Sequence, residues 1–273
     1  MAIKLLVLDI DGTMVGSSNE ITKPVKLAIE KAQEQNIKVT LATGRMYRSA
    51  LPYYEQINTD LPLIAYNGAW IQNPQSKERQ HFPIAKEIAL ELLDYFESPS
   101  LNPYFGVHCY LDDQLYVREI TPSTREYAER SQVEAIAVGD LRVILKSNPT
   151  KVLAIAHKTK MIKKCFPDLK KRYSTEQLYL TQSAHNLLEA IHPDVHKGKA
   201  VQYLAETILG ITREEVMVMG DNFNDVEMLQ YAGLGVAMGN APPEVKQIAD
   251  WVAPDVEADG VAVAINKFLE KQN

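Results

Sequence analysis

The sequence predicts an α/β fold in which a parallel sheet, assembled from residues 1–82 and 189–273, encloses an α+β insertion at 83–188. Three observations carry this reading. Short apolar runs alternate with helix-period segments through the first stretch, strands that look paired by hairpins replace them in the insertion, and the alternation resumes in the last stretch. The 273 residues are 46% hydrophobic and 23% charged, the balance of a soluble globular protein large enough to hold a core without disulfides.

Ile3–Leu8 reads as a strand buried on both faces, broken only by Lys4 and closed by the turn-forming Asp9 to Thr13. A helix follows over Thr22–Gln35, where Val25, Ala28, Ile29 and Ala32 recur at helical spacing and Pro24 sits near the start. Ile37–Ala42 is the second strand. The helix after it runs through Gln56, with a disturbance expected at Pro52. Leu63–Tyr66 is the third strand, punctuated by Asn67 and Gly68.

In the insertion, Pro103–Leu111 and Gln114–Arg118 flank Asp112 and Asp113 as a hairpin. Val152–His157, a helix from Lys158 to Lys171 with a solvated lysine face, Leu178–Ser183 and Asn186–Ile191 complete it. The α/β rhythm returns with a helix at Lys197–Leu209 stopped by Gly210, a strand at Val216–Met219 and a helix reaching Tyr231. A strand at Leu234–Ala237 and helices at Pro242–Ala249 and Asp259–Lys271 finish the chain.

Composition excludes several functions. Acidic residues number 35 against 29 basic, a net charge of −6, which tells against a general nucleic-acid binder. Cys109 and Cys165 form no CxxC pair, so neither a disulfide framework nor a cysteine zinc site is expected, and a reducing cytoplasm is the default compartment. No apolar run approaches the roughly 18 residues that span a bilayer. The opening from Met1 reads as structure, because Asp9 and Asp11 interrupt it too early for a signal peptide.

The chemistry gathers at strand ends. Asp9 follows the first strand, Thr43 the second and Asp221 the strand at Val216–Met219. In a Rossmann-like parallel sheet the carboxyl ends converge on one ligand-binding edge, so Asp9, Asp11, Thr43 and Asp221 meet in one crevice. Carboxylates crowded there repel unless a cation lies between them. Magnesium suits the set, since it takes one or two carboxylates, keeps its waters and shares a substrate phosphate. Thr43 and Gly44 ahead of a helix offer a hydroxyl and free N–H groups for an anion.

Plainer readings compete with each cluster. Asp9 to Thr13 could be a simple turn, or a calcium loop, although Met14 replaces the glycine such a loop needs at its sixth position. Asn222 and its neighbours could simply cap a helix. Gly198 and Lys199 lack the Ser or Thr of a phosphate-binding P-loop, Gly233 and Gly235 fail the dinucleotide pattern at Met238, and His192 with His196 makes a poor zinc pair.

Taken together, Asp9-x-Asp11-Gly12-Thr13, Thr43-Gly44-Arg45, Lys197-Gly198 and Gly220-Asp221-x-x-Asn224-Asp225 resemble the four ordered motifs of the haloacid dehalogenase-like superfamily. The insertion is similar in place and type to the α+β cap (type IIB) of the Cof-type phosphatases. Met14 where leucine is commoner, and His196 before the motif lysine, are the departures. The resemblance implies a phosphatase of small phosphorylated metabolites, such as sugar phosphates or phosphorylated cofactors, acting through an aspartyl-phosphate. It implies Asp9 as nucleophile and Asp11 as acid–base, with Mg2+ on Asp9, Asp11 (by its main-chain carbonyl) and Asp221. Thr43, Gly44, Lys197 and Asn224 would hold the phosphoryl oxygens, and Asp225 would orient Lys197 or a metal-bound water. Arg45 and Asn67 are candidate substrate contacts or surface residues. A sugar phosphomutase and a non-catalytic binding protein on the same fold are the alternatives.

Overall fold

The computed structural model of the chain describes residues 2–76 and 78–269. It divides into two compact units, Met1–Gln80 with His196–Asn273, and His81–Val195.

In the first unit five parallel strands lie in the order Trp251–Val252, Leu234–Ala237, Val216–Gly220, Leu5–Leu8 and Lys38–Leu41. All four side chains of Leu5–Leu8 are buried, as expected of a central strand covered on both faces. Leu8 pairs with Met219 on one side and with Leu41 on the other. The chain therefore leaves the sheet at one level, at Asp9, Ala42 and Gly220. That shared level is what positions the site.

The helix Lys23–Glu34 buries Val25, Ala28, Ile29 and Ala32, the stripe read from the sequence, and Thr22 caps its start. The helix Tyr47–Gln56 continues through Pro52, and the Gln56 side-chain amide donates to the Pro52 carbonyl at 2.8 Å.

Other expectations need correction. Leu63–Ala65 pairs antiparallel with Trp70–Gln72 and meets the parallel sheet at an isolated bridge between Ala42 and Ile64. The chain turns away early because Tyr66 and Asn67 adopt left-handed backbone, with φ of +50° and +56°. The helix expected over 197–209 is α-helical for Lys197–Gln202 and then widens to a π-helix at Tyr203–Ile208. The helix expected over 242–249 shortens to Pro243–Lys246. The final helix runs Gly260–Leu269, and its expected end at Lys271 lies outside the described residues.

The second unit is a six-stranded sheet in the order Tyr179–Ala184, Leu187–Ile191, Lys151–Ala156, Phe105–Leu111, Gln114–Val117 and Ala135–Ala137. Its pairs are antiparallel except the last. Asp112 and Asp113, both at positive φ, make the tight hairpin turn. Cys109, Val152, Ala154 and Leu188 on one face share a core with Leu92, Leu93 and Phe96 of helix Lys86–Phe96 and with Ile162, Cys165 and Leu169 of helix Lys160–Arg172. The lysines of the latter helix face solvent as expected. The helices Lys86–Phe96 and Pro122–Ser131 are additions to the sequence reading. No helix among the described residues is long and apolar enough to cross a membrane.

The other sheet face carries a buried polar group. His108 Nε2 lies 3.2 Å from Thr124 Oγ1, and Lys151 pairs with Glu189 at 3.2 Å. Burial, and secondarily the Lys151 charge, pushes His108 down from 6.5 to about 3. The folded chain thus leaves the ring neutral where the unfolded chain takes a proton. Its contribution to stability is complete above pH 6.5 and is lost progressively as pH falls toward 3. In that window the group alone costs about 1.4 kcal/mol per pH unit. Replacing it by His108→Gln should flatten the acid limb of stability measured by urea unfolding. An unchanged slope would remove His108 as its cause.

Candidate active site

Three carboxylates stand at the carboxyl edge of the first unit's sheet. Oxygens of Asp9, Asp221 and Asp225 all lie within 4.8 Å of one another, and all three residues are buried. Lys197 opposes them from the start of its helix. Its ammonium, fully buried, donates to Asp9 Oδ1 at 2.7 Å and to Asp225 Oδ1 at 2.5 Å. The other Asp225 oxygen accepts the backbone N–H groups of Asp221 and Asn222 at 2.9 and 3.0 Å. Asp225 is thereby saturated, and it fixes both Lys197 and the Asp221 loop. Asn222 also caps the turn that follows, as the plain capping reading expected.

The electrostatics follow from this crowding. Burial raises Asp9 from 3.8 to about 7; Lys197 opposes that rise and Asp225 adds to it. Asp221 is held well above 3.8, by burial first and then by Asp9 and Asp225. Burial alone would lower Lys197, but Asp225 and Asp9 outweigh it and hold the ammonium above its ordinary value. One cation thus faces three buried carboxylates. The set is all hard oxygen and short of positive charge, which fits a magnesium ion held by Asp9 and Asp221.

Gly12 is needed where the first loop meets this cluster. Its φ is +78°, and a β-carbon there would stand 2.4 Å from an Asp221 oxygen. Thr13 Oγ1 donates to Asp221 at 3.3 Å.

The anion-binding candidates lie beside the carboxylates. Thr43 is buried, its hydroxyl accepting the Arg45 N–H at 3.1 Å and its carbonyl the Asn67 N–H at 2.8 Å. Asn224 Nδ2 donates to Asn67 Oδ1 at 2.9 Å, and Asn224 Oδ1 is buried with no partner. A β-carbon on Gly44 would come within 3.1 Å of the Asn67 side-chain oxygen, which would have to shift to make room for it.

Two residues depart from their expected places. The Asp11 side chain is outside the carboxylate cluster, since both its oxygens bind Arg45, at 2.7 Å to Nε and 2.8 Å to Nη2. Arg45 is correspondingly buried, which removes the surface reading of that residue, and Asn67 is fully buried as well. Asn240 was missed. Its Nδ2 donates to the Gly12 carbonyl at 2.8 Å and approaches Asp221 at 3.4 Å, tying the two loops together. It follows strand Leu234–Ala237, so the strand-end rule that found the others also points to it.

Residues 6–265 match the model of a haloacid dehalogenase-like hydrolase family. The chain is 30% identical to the phosphatase YwpJ of Bacillus subtilis, covering 97% of this chain and 100% of that one. It is 28% identical to the 5-amino-6-(5-phospho-D-ribitylamino)uracil phosphatase YitU of the same organism, over 97% of each. A haloacid dehalogenase-like hydrolase from Bacteroides thetaiotaomicron superposes with a TM-score of 0.83 at 28% identity, covering 97% of this chain and 99% of its own.

The crowding predicts a trade of stability for binding. A carboxyl held above its ordinary value stabilises the fold at low pH and costs stability once pH rises through the raised value. In chelator at pH 8, Asp221→Asn should therefore unfold at higher urea than the parent chain, and the gap should close as pH falls. Magnesium should stabilise the parent and not the variant. A variant less stable in chelator would show that Asp221 is held by attraction.

Proposed function

The chain belongs to the haloacid dehalogenase-like hydrolases, in their Cof-type branch, and we propose that this phosphatase is magnesium-dependent and hydrolyses a small phosphorylated metabolite through an aspartyl-phosphate on Asp9. The observation that supports this most is the opposition of Asp9, Asp221 and Asp225 by a single cation among the described residues, Lys197, at the sheet edge. Bound there, magnesium supplies charge that offsets repulsion between a carboxylate nucleophile and a phosphate dianion. Asp9, Asp221 and the Asp11 main-chain carbonyl are assigned to hold it.

Asp9 attacks phosphorus, and the ester oxygen leaves with a proton from Asp11. In the second step Asp11 takes a proton from water, whose oxygen displaces Asp9. Lys197, Thr43, the Gly44 N–H and Asn224 hold the transferring oxygens, the positioning and charge stabilisation that phosphoryl transfer chiefly requires. Asp225 steers Lys197, and Asn67 is assigned to the same cradle as a substrate contact. Residues 83–188 we assign as the cap that selects the leaving group. Two free, buried cysteines suit the cytoplasm.

A phosphate-release screen over sugar phosphates, nucleotides, flavin mononucleotide, pyridoxal phosphate and the ribitylaminouracil phosphate of the relative's name tests the reading. We expect turnover of at least one with magnesium and none in excess chelator. Full activity in chelator refutes the metal assignment, and an isomeric sugar phosphate without free phosphate refutes hydrolysis. Asp9→Asn should abolish turnover in a folded protein. Asp11→Asn should slow it by about a hundred- to ten-thousandfold, with phosphate trapped on Asp9 when p-nitrophenyl phosphate is used, as read by mass spectrometry of quenched protein.

A further inference from the structure

Arg45 is built into the first unit more firmly than a substrate contact needs. Its guanidinium binds both Asp11 oxygens, and Nη2 also donates to Asn19 Oδ1 at 2.7 Å. Nη1 reaches Ser49 Oγ at 3.5 Å, and the guanidinium carbon lies 4.7 Å from the Tyr53 ring centre. Tyr53 in turn donates its hydroxyl to the Asn19 carbonyl at 3.1 Å, and Asn19 holds a left-handed φ of +57°. Asn19, Arg45 and Tyr53 thus close a ring of contacts behind one carboxylate. The side chains differ sharply in exposure, 5% for Arg45 and 32% for Asp11. The guanidinium is the fixed wall, and the carboxyl is the part that meets solvent.

A bidentate guanidinium–carboxylate pair fixes distance and plane together, which a single hydrogen bond cannot do. A proton donor displaced by an ångström loses most of its effect, so a part-exposed carboxyl needs such a holder. We infer that Arg45 is the positioning residue of the acid–base carboxylate, fixing where Asp11 stands instead of binding the phosphate ester. This rests on the phosphatase reading above. The proton balance is that of Asp11 itself, given to the ester oxygen as its bond to phosphorus breaks and regained from water as the Asp9 ester is cleaved. Arg45 remains charged throughout.

The experiment uses the full chain with magnesium and two substrates of one shape, phenyl phosphate and p-nitrophenyl phosphate. Phenolate leaves with more need of a proton than nitrophenolate. In Arg45→Met, kcat on phenyl phosphate should fall by about 30- to 300-fold, a large part of what acid–base assistance supplies. The burst of p-nitrophenol should change by less than about fivefold, since nitrophenolate leaves without a proton from Asp11. Placed in Asp11→Asn, the same change should cost less than about twofold more, because the partner it positions is already disabled. Tyr53→Phe, which keeps the ring and loses the Asn19 tie, should show the same pattern weakly. A rise in KM with kcat kept, additive losses in the double variant, or loss of the burst in folded protein would each overturn the inference. Should Arg45→Met fail to fold, Arg45→Lys carries the same cycle, its single point of attachment giving an intermediate loss. A parent chain that releases no phosphate, or an active Asp9→Asn, would instead defeat the phosphatase reading.

Discussion

The first unit depends on one buried ammonium. Lys197 joins the loop after the first strand, through Asp9, to the loop after strand Val216–Gly220, through Asp225. Removing the ammonium would leave carboxylates buried and unmatched, at a cost of about 3–5 kcal/mol. Yet a buried ion cluster of this kind rarely stabilises a fold more than apolar side chains of the same volume would. With three carboxylates to one cation, the arrangement is worse than neutral for the empty chain.

The surroundings divide into groups that carry charge and groups that hold them still. Asp225 uses both oxygens, one on Lys197 and the other on two backbone N–H groups, and so orders the site. Asn240 performs a similar service between the Gly12 and Asp221 loops. Asn67 does so for Asn224, at a left-handed backbone position that costs about 1–2 kcal/mol for a side chain to occupy. Polar strain of this sort, concentrated at the carboxyl edge of an otherwise apolar sheet, marks where the fold yields stability to chemistry.

Much of this was legible in the sequence, for physical reasons that also explain the gaps. Asp9, Thr43 and Asp221 stand out because each ends a short apolar run, and a parallel sheet brings such ends together. The bond between Arg45 and Asp11 joins side chains from different loops, and no periodicity reports it. The helix Lys86–Phe96 was readable from Ala89, Leu92, Leu93 and Phe96 and was overlooked. The helix Pro122–Ser131 buries only Thr124 and Ala128, so it leaves almost no apolar stripe to read. The π-helical turn at Tyr203–Ile208 and the left-handed pair at Tyr66 and Asn67 reflect tertiary packing, which local propensity does not encode.

The strand order bears on how the chain is made. The central strand Leu5–Leu8 emerges from the ribosome early, yet its neighbour Val216–Gly220 is translated only after the whole of His81–Val195. Until then one edge of a wholly apolar strand has no partner, the condition under which nascent chains associate with one another. The intervening unit has its own sheet and core, so it can fold first and shorten the effective loop that the late strand must close. The site's charges are therefore assembled late. Lys197, Asp221 and Asp225 are all translated after the intervening unit, and a chain stalled before them carries Asp9 with none of the groups it meets in the fold.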